Sequence, residues 1–97
     1  MYKIEFTPEA IDDLKSFRKF EQQIIISGIE TQLTYEPAVE TRNRFRMRLN
    51  EVAEWELRID KYRVFYNVEQ EVQIVSIEVI GFKKGNQLFV RGKGRDL

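Results

Sequence analysis

Three charged side chains in the middle of the chain have the types and spacing suited to acid–base chemistry on a phosphodiester. Glu56 and Arg58 alternate with Trp55 and Leu57, and Arg63 follows a short connection. In strands that alternate in this way, Glu56 and Arg58 would share one face, with Arg63 across from them. A carboxylate can take the proton of a ribose 2′-hydroxyl, and two guanidinium groups can stabilise charge developing on the phosphate. The alternative is an exposed cross-strand ion pair, which contributes little to stability.

Four arginines occur at every second position shortly before this segment. On a strand they would project from one face, where they could follow a phosphate backbone. No acidic residue interrupts positions 42 to 48, which favours a polyanionic partner over a merely solvated sheet face or edge. We therefore predict RNA binding by Arg42, Arg44, Arg46 and Arg48.

The C-terminal tail, residues 81–95, combines basic, glycine and aromatic residues. It holds five basic residues, four glycines and two phenylalanines. Mobile segments of this kind suit single-stranded nucleic acid, because rings stack on bases and cations meet phosphates. The alternative is a loop and frayed terminus, with Phe82 or Phe89 packed under the core. From this segment we predict that Lys84, Phe89 and Arg91 contact RNA.

The net charge of zero, from 16 basic and 16 acidic residues, is unevenly distributed. Residues 1–41 hold four basic and eight acidic side chains, whereas residues 42–97 hold twelve basic and eight acidic. Binding of a polyanion depends on the local field at a surface patch, so the second half can bind anions.

The residue types that are missing exclude several kinds of chemistry. The chain has no cysteine and no histidine. Disulfides, the usual zinc sites and imidazole catalysis are therefore excluded. Attack by a 2′-hydroxyl needs no metal, so we predict neither a metal nor a cofactor. No apolar run approaches the roughly 20 residues that span a bilayer, and the first six residues alternate, so we predict a cytoplasmic protein without a membrane partner.

The hydrophobic spacing predicts a strand and two helices in the first half. Tyr2 to Phe6 alternate as a strand does, and Thr7-Pro8-Glu9 is a helix start. The first helix is predicted to run to about Lys19, and the second from Glu21 to Tyr35, before Pro37. With so few residues between them, the helices should form an antiparallel hairpin.

From Phe45 onwards the spacing changes to that of strands. We predict strands with Phe45, Met47 and Leu49 pointing inward, then strands at 55–59 and 62–68, and a central strand from Val72 to Ile80. Asp60-Lys61 and Glu69-Gln70 are the predicted turns. The expected fold is a single α+β domain, residues 1–97, with a helical hairpin on one face of a three- to four-stranded antiparallel sheet. The other face is left to solvent or a ligand.

The chain resembles the RelE/ParE superfamily of type II toxin–antitoxin toxins over almost its whole length. The resemblance is carried by the helix opening Phe6-Thr7-Pro8-Glu9-Ala10, by the order of elements, and most specifically by Leu57-Arg58-Ile59 followed by Tyr62-Arg63-Val64-Phe65-Tyr66. It implies this fold and a cognate, RelB-like antitoxin. RelE-type members cut mRNA in the ribosomal A site, so the resemblance also implies an endoribonuclease that inhibits translation.

The resemblance assigns roles to individual positions. Arg63 matches the family's arginine at the scissile phosphate, and Glu56 matches a position held by lysine or by a glutamate general base. Arg58 lies at a basic position of the same strand. Lys83 stands where many members have an arginine or histidine near the leaving group. Phe89 departs from the family's tyrosine, and phenylalanine can stack on a base but cannot transfer a proton.

Two other functions fit the same resemblance. ParE-type members share the fold, act on DNA gyrase and are not nucleases, and the missing tyrosine and histidine are compatible with that activity. An inactive module that still binds its antitoxin is the third alternative.

Overall fold

The computed structural model describes residues 1–97, which have an α+β fold with two helices and seven strands. The helices are α1 (Pro8–Lys15) and α2 (Lys19–Leu33). The strands are β1 (Lys3–Phe6), β2 (Arg44–Arg46), β3 (Trp55–Ile59), β4 (Tyr62–Glu69), β5 (Ile74–Lys84), β6 (Gln87–Val90) and β7 (Lys93–Arg95). The predicted fold class is confirmed, although the sheet has more strands than the predicted three or four.

The first helix begins where the sequence predicted and ends earlier. The Thr7 hydroxyl accepts the Ala10 N–H at 3.1 Å, and Pro8 occupies the first turn, where its missing N–H costs nothing. The helix stops at Lys15 instead of near Lys19, because the Ser16 and Phe17 N–H groups bond to carbonyls only three residues back. This tight last turn leaves room for the second helix to start at Lys19.

The sheet has the order β2-β3-β4-β5-β6-β7, all antiparallel, and β1 pairs in parallel with β5. One edge of β5 is therefore shared by two strands: β1 pairs with residues 74–77 and β6 with residues 82–84. The predicted turn at Asp60-Lys61 is confirmed, with Asp60 at φ 53°. The second turn lies later than predicted, because Glu69 still pairs with Ile74, and Val72 is an exposed turn residue instead of a strand residue.

Along the edge of β5 between the segments paired with β1 and β6, a carboxylate takes the place of a strand partner. Asp13 of α1 is buried, and its Oδ2 accepts the backbone N–H of Ile80 at 3.0 Å. Its Oδ1 lies 2.9 Å from Nε of Arg91, which follows β6. Burial raises the pKa of Asp13, while the Ile80 N–H and the Arg91 charge oppose that rise. Asp13 thus satisfies a buried donor and joins α1 to the C-terminal strands.

Both helices cover one face of the sheet, with α1 against β5 and β1 and α2 against β3. The main core lies between these layers. Its fully buried members include Ile25, Ile29 and Leu33 of α2 and Leu57, Val64, Tyr66, Ile77 and Ile80 of the sheet. Gly28 of α2 lies against Ile59, where a Cβ would be 2.5 Å from the Ile59 side chain, so glycine permits this close packing.

We call the opposite side of the sheet, which carries Glu56, Arg58, Arg63, Phe65 and Lys83, the open face. Part of it holds a second, smaller core that the sequence did not predict. This core consists of Ala53, Phe65, Val79, Leu88 and Val90, with Met47 and Val52 packed against it. The open face is therefore apolar in its middle and charged around that middle.

The tail expected to be a mobile loop forms a hairpin of two strands instead. Gly85 (φ 63°) and Gly92 (φ 80°) make the turns before β6 and β7. At Gly81 a Cβ would clash with the carbonyl oxygen of Phe89, so the absence of a side chain there lets β6 approach β5. The glycines that suggested mobility are thus the residues that allow the strands to pair. Neither helix has the length and apolar character needed to cross a membrane.

Candidate active site on the open face

Glu56, Arg58 and Arg63 meet on the open face. Glu56 and Arg58 lie on β3, and Arg63 is the direct cross-strand partner of Arg58 on β4. Glu56 Oε2 accepts a hydrogen bond from Nε of Arg58 at 2.9 Å and lies 3.5 Å from Nε of Arg63. The Glu56 and Arg63 side chains are only 16% and 14% exposed, whereas Arg58 is 46% exposed. One carboxylate oxygen is therefore shared by two guanidinium groups, one fixed and one accessible.

The turn between β3 and β4 holds Arg63 in place. Its Nη1 donates to the carbonyl oxygens of Asp60 at 2.7 Å and Tyr62 at 2.9 Å. Its buried Nε has no hydrogen-bond partner, and its contact with Glu56 Oε2 at 3.5 Å is an ion pair. Burial lowers the pKa of Arg63, and the Arg58 charge lowers it further. A buried cation beside a second cation, with one donor unused, is suited to binding an anion.

Lys83 and Arg95 border a small cleft next to Glu56. The cleft has a volume of about 160 Å³, and its lining includes Glu56, Phe65, Lys83 and Arg95. Arg95 of β7 is opposite Leu88, and Lys93 is opposite Val90, so both cations lie on the open face. Sequence analysis did not single out either residue, although their two-residue spacing was a signal. Their position depends on the hairpin that brings β7 beside β6.

A larger cleft of about 610 Å³ lies on the other side of Glu56, under the loop of residues 47–54. It is lined by Phe45, Arg46, Arg48, Leu49, Glu56 and Arg58, among others. The Arg58 guanidinium carbon lies 4.3 Å from the centre of the Phe45 ring. Glu56 and the accessible Arg58 thus border a cleft that contains an aromatic ring and further arginines.

The predicted comb of four arginines on one face is wrong. Arg44 is buried on the helix-covered side, where its Nη1 donates to the Gln32 carbonyl at 2.6 Å and its Nε to the Val39 carbonyl at 2.9 Å. The reason is the register of β2: Arg44 pairs with Leu57, and Phe45 with Glu56, so Phe45 faces the open side. The inward direction predicted for Phe45 and Leu49 is also wrong, since Leu49 is fully exposed.

The other three arginines of the run are exposed but do not form a row. Arg46 ends β2, lies 5.6 Å above the Trp55 ring and pairs with Glu54 at 3.5 Å. Arg42 and Arg48 lie outside β2. A strand of only three residues cannot present four alternate side chains, so the run contributes scattered charge instead of a continuous track.

Phe89, Lys84 and Arg91 lie away from Glu56, on the helix-covered side. Phe89 is opposite Phe82 on the neighbouring strand, and their rings stack at 5.4 Å. Phe82 in turn meets the Phe17 ring at 6.2 Å. Lys84 follows Lys83 on β5 and so points to the other face, and Arg91 pairs with Asp13. These three residues therefore do not share the surface of Glu56, and their contact with RNA stays a prediction.

The residues of the site offer no evident metal centre. No group of three or more acidic side chains is close enough together to hold a metal ion. At its centre the site has the Glu56 carboxylate with the guanidinium groups of Arg58 and Arg63, and the smaller cleft adds Lys83, Arg95 and Asp96.

Two solved structures of toxin–antitoxin complexes contain the same fold. A chain of the RelBE2 toxin–antitoxin complex from Mycobacterium tuberculosis superposes with a TM-score of 0.71 at 22% identity, covering 84% of this chain and 98% of that one. A chain of the archaeal RelE–RelB complex from Pyrococcus horikoshii OT3 superposes with a TM-score of 0.67 at 19% identity, covering 87% and 96%. At these identities the likeness establishes the fold. A search of curated protein sequences found no significant match.

The sequence itself matches a family model. The model describes the ParE toxin of the type II toxin–antitoxin system parDE, and it matches residues 4–81. The matched range runs from β1 to the C-terminal part of β5 and includes Glu56, Arg58 and Arg63. The chain belongs to this family of the RelE/ParE superfamily, and it is a toxin of a type II toxin–antitoxin system.

Proposed function

We propose that this toxin is a metal-independent endoribonuclease that cuts mRNA, with the ribosome presenting the substrate, and so inhibits translation in the cytoplasm. The observation that carries the proposal is the sharing of Glu56 Oε2 by Arg58 and Arg63, beside a cleft lined by Lys83. This arrangement combines a proton acceptor with fixed cations on one surface. It suits a reaction in which a proton leaves and negative charge builds up on phosphorus.

In the proposed reaction the RNA supplies its own nucleophile. Glu56 takes the proton of a 2′-hydroxyl, and the 2′-oxygen attacks the adjacent phosphorus. Arg58 and Arg63 stabilise the additional negative charge on the phosphoryl oxygens. The bond from phosphorus to the 5′-oxygen then breaks, and Lys83 donates a proton to that oxygen. The products are a 2′,3′-cyclic phosphate and a 5′-hydroxyl.

An incoming phosphate would rearrange the ion pairs of the site. Arg63 is held in place by two backbone carbonyls, so its positive charge is fixed beside Glu56, where it can stabilise a bound phosphate. Arg58 is half exposed and can transfer part of its hydrogen bonding from Glu56 to the phosphate. That transfer would free Glu56 to accept the proton.

A cognate antitoxin is the second proposed partner. The two structural neighbours were both solved as complexes with antitoxins. We propose that this chain binds a RelB-like antitoxin of its own, which neutralises it. Copurification with the product of an adjacent small open reading frame would test this partner.

Replacing individual site residues will test the nuclease. We expect Arg63→Ala to slow cleavage of ribosome-bound mRNA by about 10²- to 10³-fold, because a fixed cation at the phosphate is lost. We expect Glu56→Gln to slow cleavage by about 10²- to 10⁴-fold, because an amide cannot take the proton. The measurement is single-turnover cleavage on programmed ribosomes, with the termini identified by their reactivity to phosphatase and kinase.

The charge-matched control is Lys15→Ala, on the exposed last turn of α1, which should cleave like the wild type. Growth arrest by the wild type with intact mRNA would overturn the proposal. So would 3′-hydroxyl and 5′-phosphate ends, since attack by a 2′-hydroxyl cannot produce them.

Inhibition of DNA gyrase is the second candidate function, and the family model favours it, because that model describes ParE toxins. Phe89 also fits this function, since it lies on the helix-covered side and carries no titratable group. A supercoiling assay with purified gyrase separates the two candidates. Inhibited supercoiling together with untouched RNA would establish the gyrase function instead of the nuclease.

A further inference from the structure

The ring of Phe45 lies in the larger cleft of the open face, directly beside Glu56. Register places Phe45 opposite Glu56 on adjacent antiparallel strands, a pairing in which Cβ atoms are roughly 5 Å apart. The ring is only partly buried and belongs to neither core cluster. An aromatic side chain that neither core uses and that lies next to the proposed reacting group is available to a ligand.

The Arg58 guanidinium lies over one face of this ring. Its carbon is 4.3 Å from the ring centre, and its Nε is held at 2.9 Å by Glu56. The cation–π contact and the hydrogen bond together fix the orientation of the guanidinium plane, while the side chain stays 46% exposed. Phe45 and Arg58 thus form a stacked pair that is partly exposed and carries a positive charge.

The loop of residues 47–54 forms the wall of the cleft, and its own hydrogen bonds hold it in shape. Asn50 Oδ1 accepts the N–H groups of Val52 and Ala53, and its Nδ2 donates to the carbonyls of Arg48 and Ala53. The side chain of Asn50 is therefore used within the loop. Leu49, at the end of the loop, is fully exposed and lines the same cleft.

The charges around the cleft identify the class of ligand. The charged side chains of Arg48 and Arg58 line it together with one acidic side chain, Glu56, whereas the guanidinium of Arg46 lies over Trp55 on the helix-covered side. A flat apolar surface with cations around it is suited to a base that stacks and a phosphate backbone that passes beside it. An apolar protein side chain would use the ring but would bring no negative charge to meet Arg48 and Arg58.

We infer that the cleft lined by Phe45, Arg58 and Leu49 binds a nucleobase of single-stranded RNA, one that neighbours the phosphate held at Glu56 and Arg63. This inference deepens the proposed function and rests on it for the identity of the substrate. The base stacks on the Phe45–Arg58 surface, and Leu49 contacts its other side. Arg48 binds a flanking phosphate.

Binding of single-stranded RNA to the antitoxin-free toxin tests the inference separately from cleavage. The probe is a fluorescein-labelled RNA hexamer with 2′-O-methyl riboses, which cannot be cleaved by 2′-hydroxyl attack. We expect Phe45→Leu to weaken binding about tenfold or more, because leucine keeps an apolar group but loses the stacking face. Phe45→Tyr should bind like the wild type, and so should the matched control Phe89→Leu on the other face.

Crosslinking locates the base without relying on a variant that has to fold. A hexamer carrying 4-thiouridine is irradiated with the wild type, and the protein is cut after glutamate. The peptide of residues 41–51 contains Phe45 and Leu49, whereas the peptide of residues 79–97 contains Phe89. We expect the crosslink in the first of these peptides.

Three results would overturn the inference. The first is equal affinity of the wild type for the hexamer and for its fully abasic form, which would show binding by the backbone alone. The second is a crosslink confined to residues 79–97. The third is protection of Phe45 by the antitoxin but never by RNA, which would assign the cleft to a protein. If the toxin still cleaves mRNA in any of these cases, only the inferred base-binding cleft is overturned and the proposed nuclease function stands. If a base stacks on the cleft but mRNA is not cleaved, only the proposed nuclease function is overturned.

Discussion

Neighbouring residues of the short strand β2 have unrelated roles. Arg44 points to the helix-covered side, where it donates to carbonyls of α2 and of the loop that follows α2. Phe45 points to the open face, and Arg46 lies over the Trp55 ring. Arg44 therefore closes the C-terminal end of α2, where carbonyls lack helical partners. Tyr66 supports the same region, since its hydroxyl donates to the Pro37 carbonyl and burial raises the pKa of Tyr66.

Replacement of Arg44 should affect stability. We expect Arg44→Met to lower the free energy of unfolding by about 2 to 4 kcal/mol, because two carbonyl acceptors lose a charged donor inside the protein. Arg42→Met, two residues away and exposed, should change it by about 0.5 kcal/mol or less. Urea denaturation followed by Trp55 fluorescence measures both. Equal stability of the two variants would contradict the structural role of Arg44.

At the scale of elements, the position of Arg63 depends on the turn between β3 and β4, and α2 anchors that turn. Glu21, in the first turn of α2, accepts a hydrogen bond from the Tyr62 hydroxyl at 2.7 Å and lies 3.6 Å from Nζ of Lys61. Burial and the Glu21 carboxylate raise the pKa of Tyr62 to about 12. The same hydrogen bond is the main cause of a lowered pKa of Glu21. The helix thus fixes the turn that presents Arg63.

The anchor should weaken in acid. Because the pKa of Glu21 is lower in the folded state than its ordinary value of 4.5, ionised Glu21 stabilises the fold above that pH. This contribution is lost as the pH falls through the lowered folded-state pKa. We expect the loss of stability caused by Glu21→Gln to be largest at neutral pH and to shrink steadily below about pH 4.5.

Denaturation across this pH range measures that difference. The control is Glu30→Gln, which removes an exposed carboxylate from the same helix and leaves the Tyr62 hydrogen bond intact. A penalty for Glu21→Gln that does not vary with pH would show that its carboxylate is not the anchor.

At the scale of the whole molecule, the chain is neutral but its basic side chains gather around one surface. Arg58, Arg63 and Lys83 lie on the open face, and the C-terminal hairpin adds Lys93 and Arg95. A polyanion responds to this local field instead of the zero total. Each phosphate that the surface neutralises releases counterions, so the affinity for RNA should fall with salt.

Arg95 should contribute to this salt dependence. We expect Arg95→Ala to reduce the slope of log affinity against log salt concentration by about 0.7, the value for one phosphate contact with a single strand. Lys15→Ala, on the helix-covered side, should leave the slope unchanged. Fluorescence anisotropy at several salt concentrations measures the slopes, and an unchanged slope for Arg95→Ala would exclude Arg95 from the proposed RNA-binding surface.

Local signals in the sequence predicted much of the fold. Thr7 and Pro8 specify a helix start by their own chemistry, and alternation from Trp55 to Val68 specifies two strands and the turn at Asp60. The same alternation put Glu56 and Arg58 on one face, with Arg63 opposite, and the structure has this pairing. These features depend on contacts between residues close in the chain, so a local pattern contains the information needed to predict them.

Residues distant in the chain decided the rest. The alternation from Arg42 to Arg48 did not show which set of side chains faces the helices. Pairing with β3 placed Phe45 on the open face and Arg44 on the helix-covered side, because a shift of one residue in the register moves every side chain to the opposite face. The glycines of the tail are equally compatible with a mobile segment and with tight turns: Gly81, Gly85 and Gly92. The tail forms turns and strands because the edge of β5 beyond β1 is free to pair with β6. The sequence by itself determined which charges surround Glu56 on β3 and β4. Only the tertiary structure decided that Phe45 and Arg95 join them while Phe89 does not, because strand pairing and the packing of both sheet faces assign each side chain to a surface.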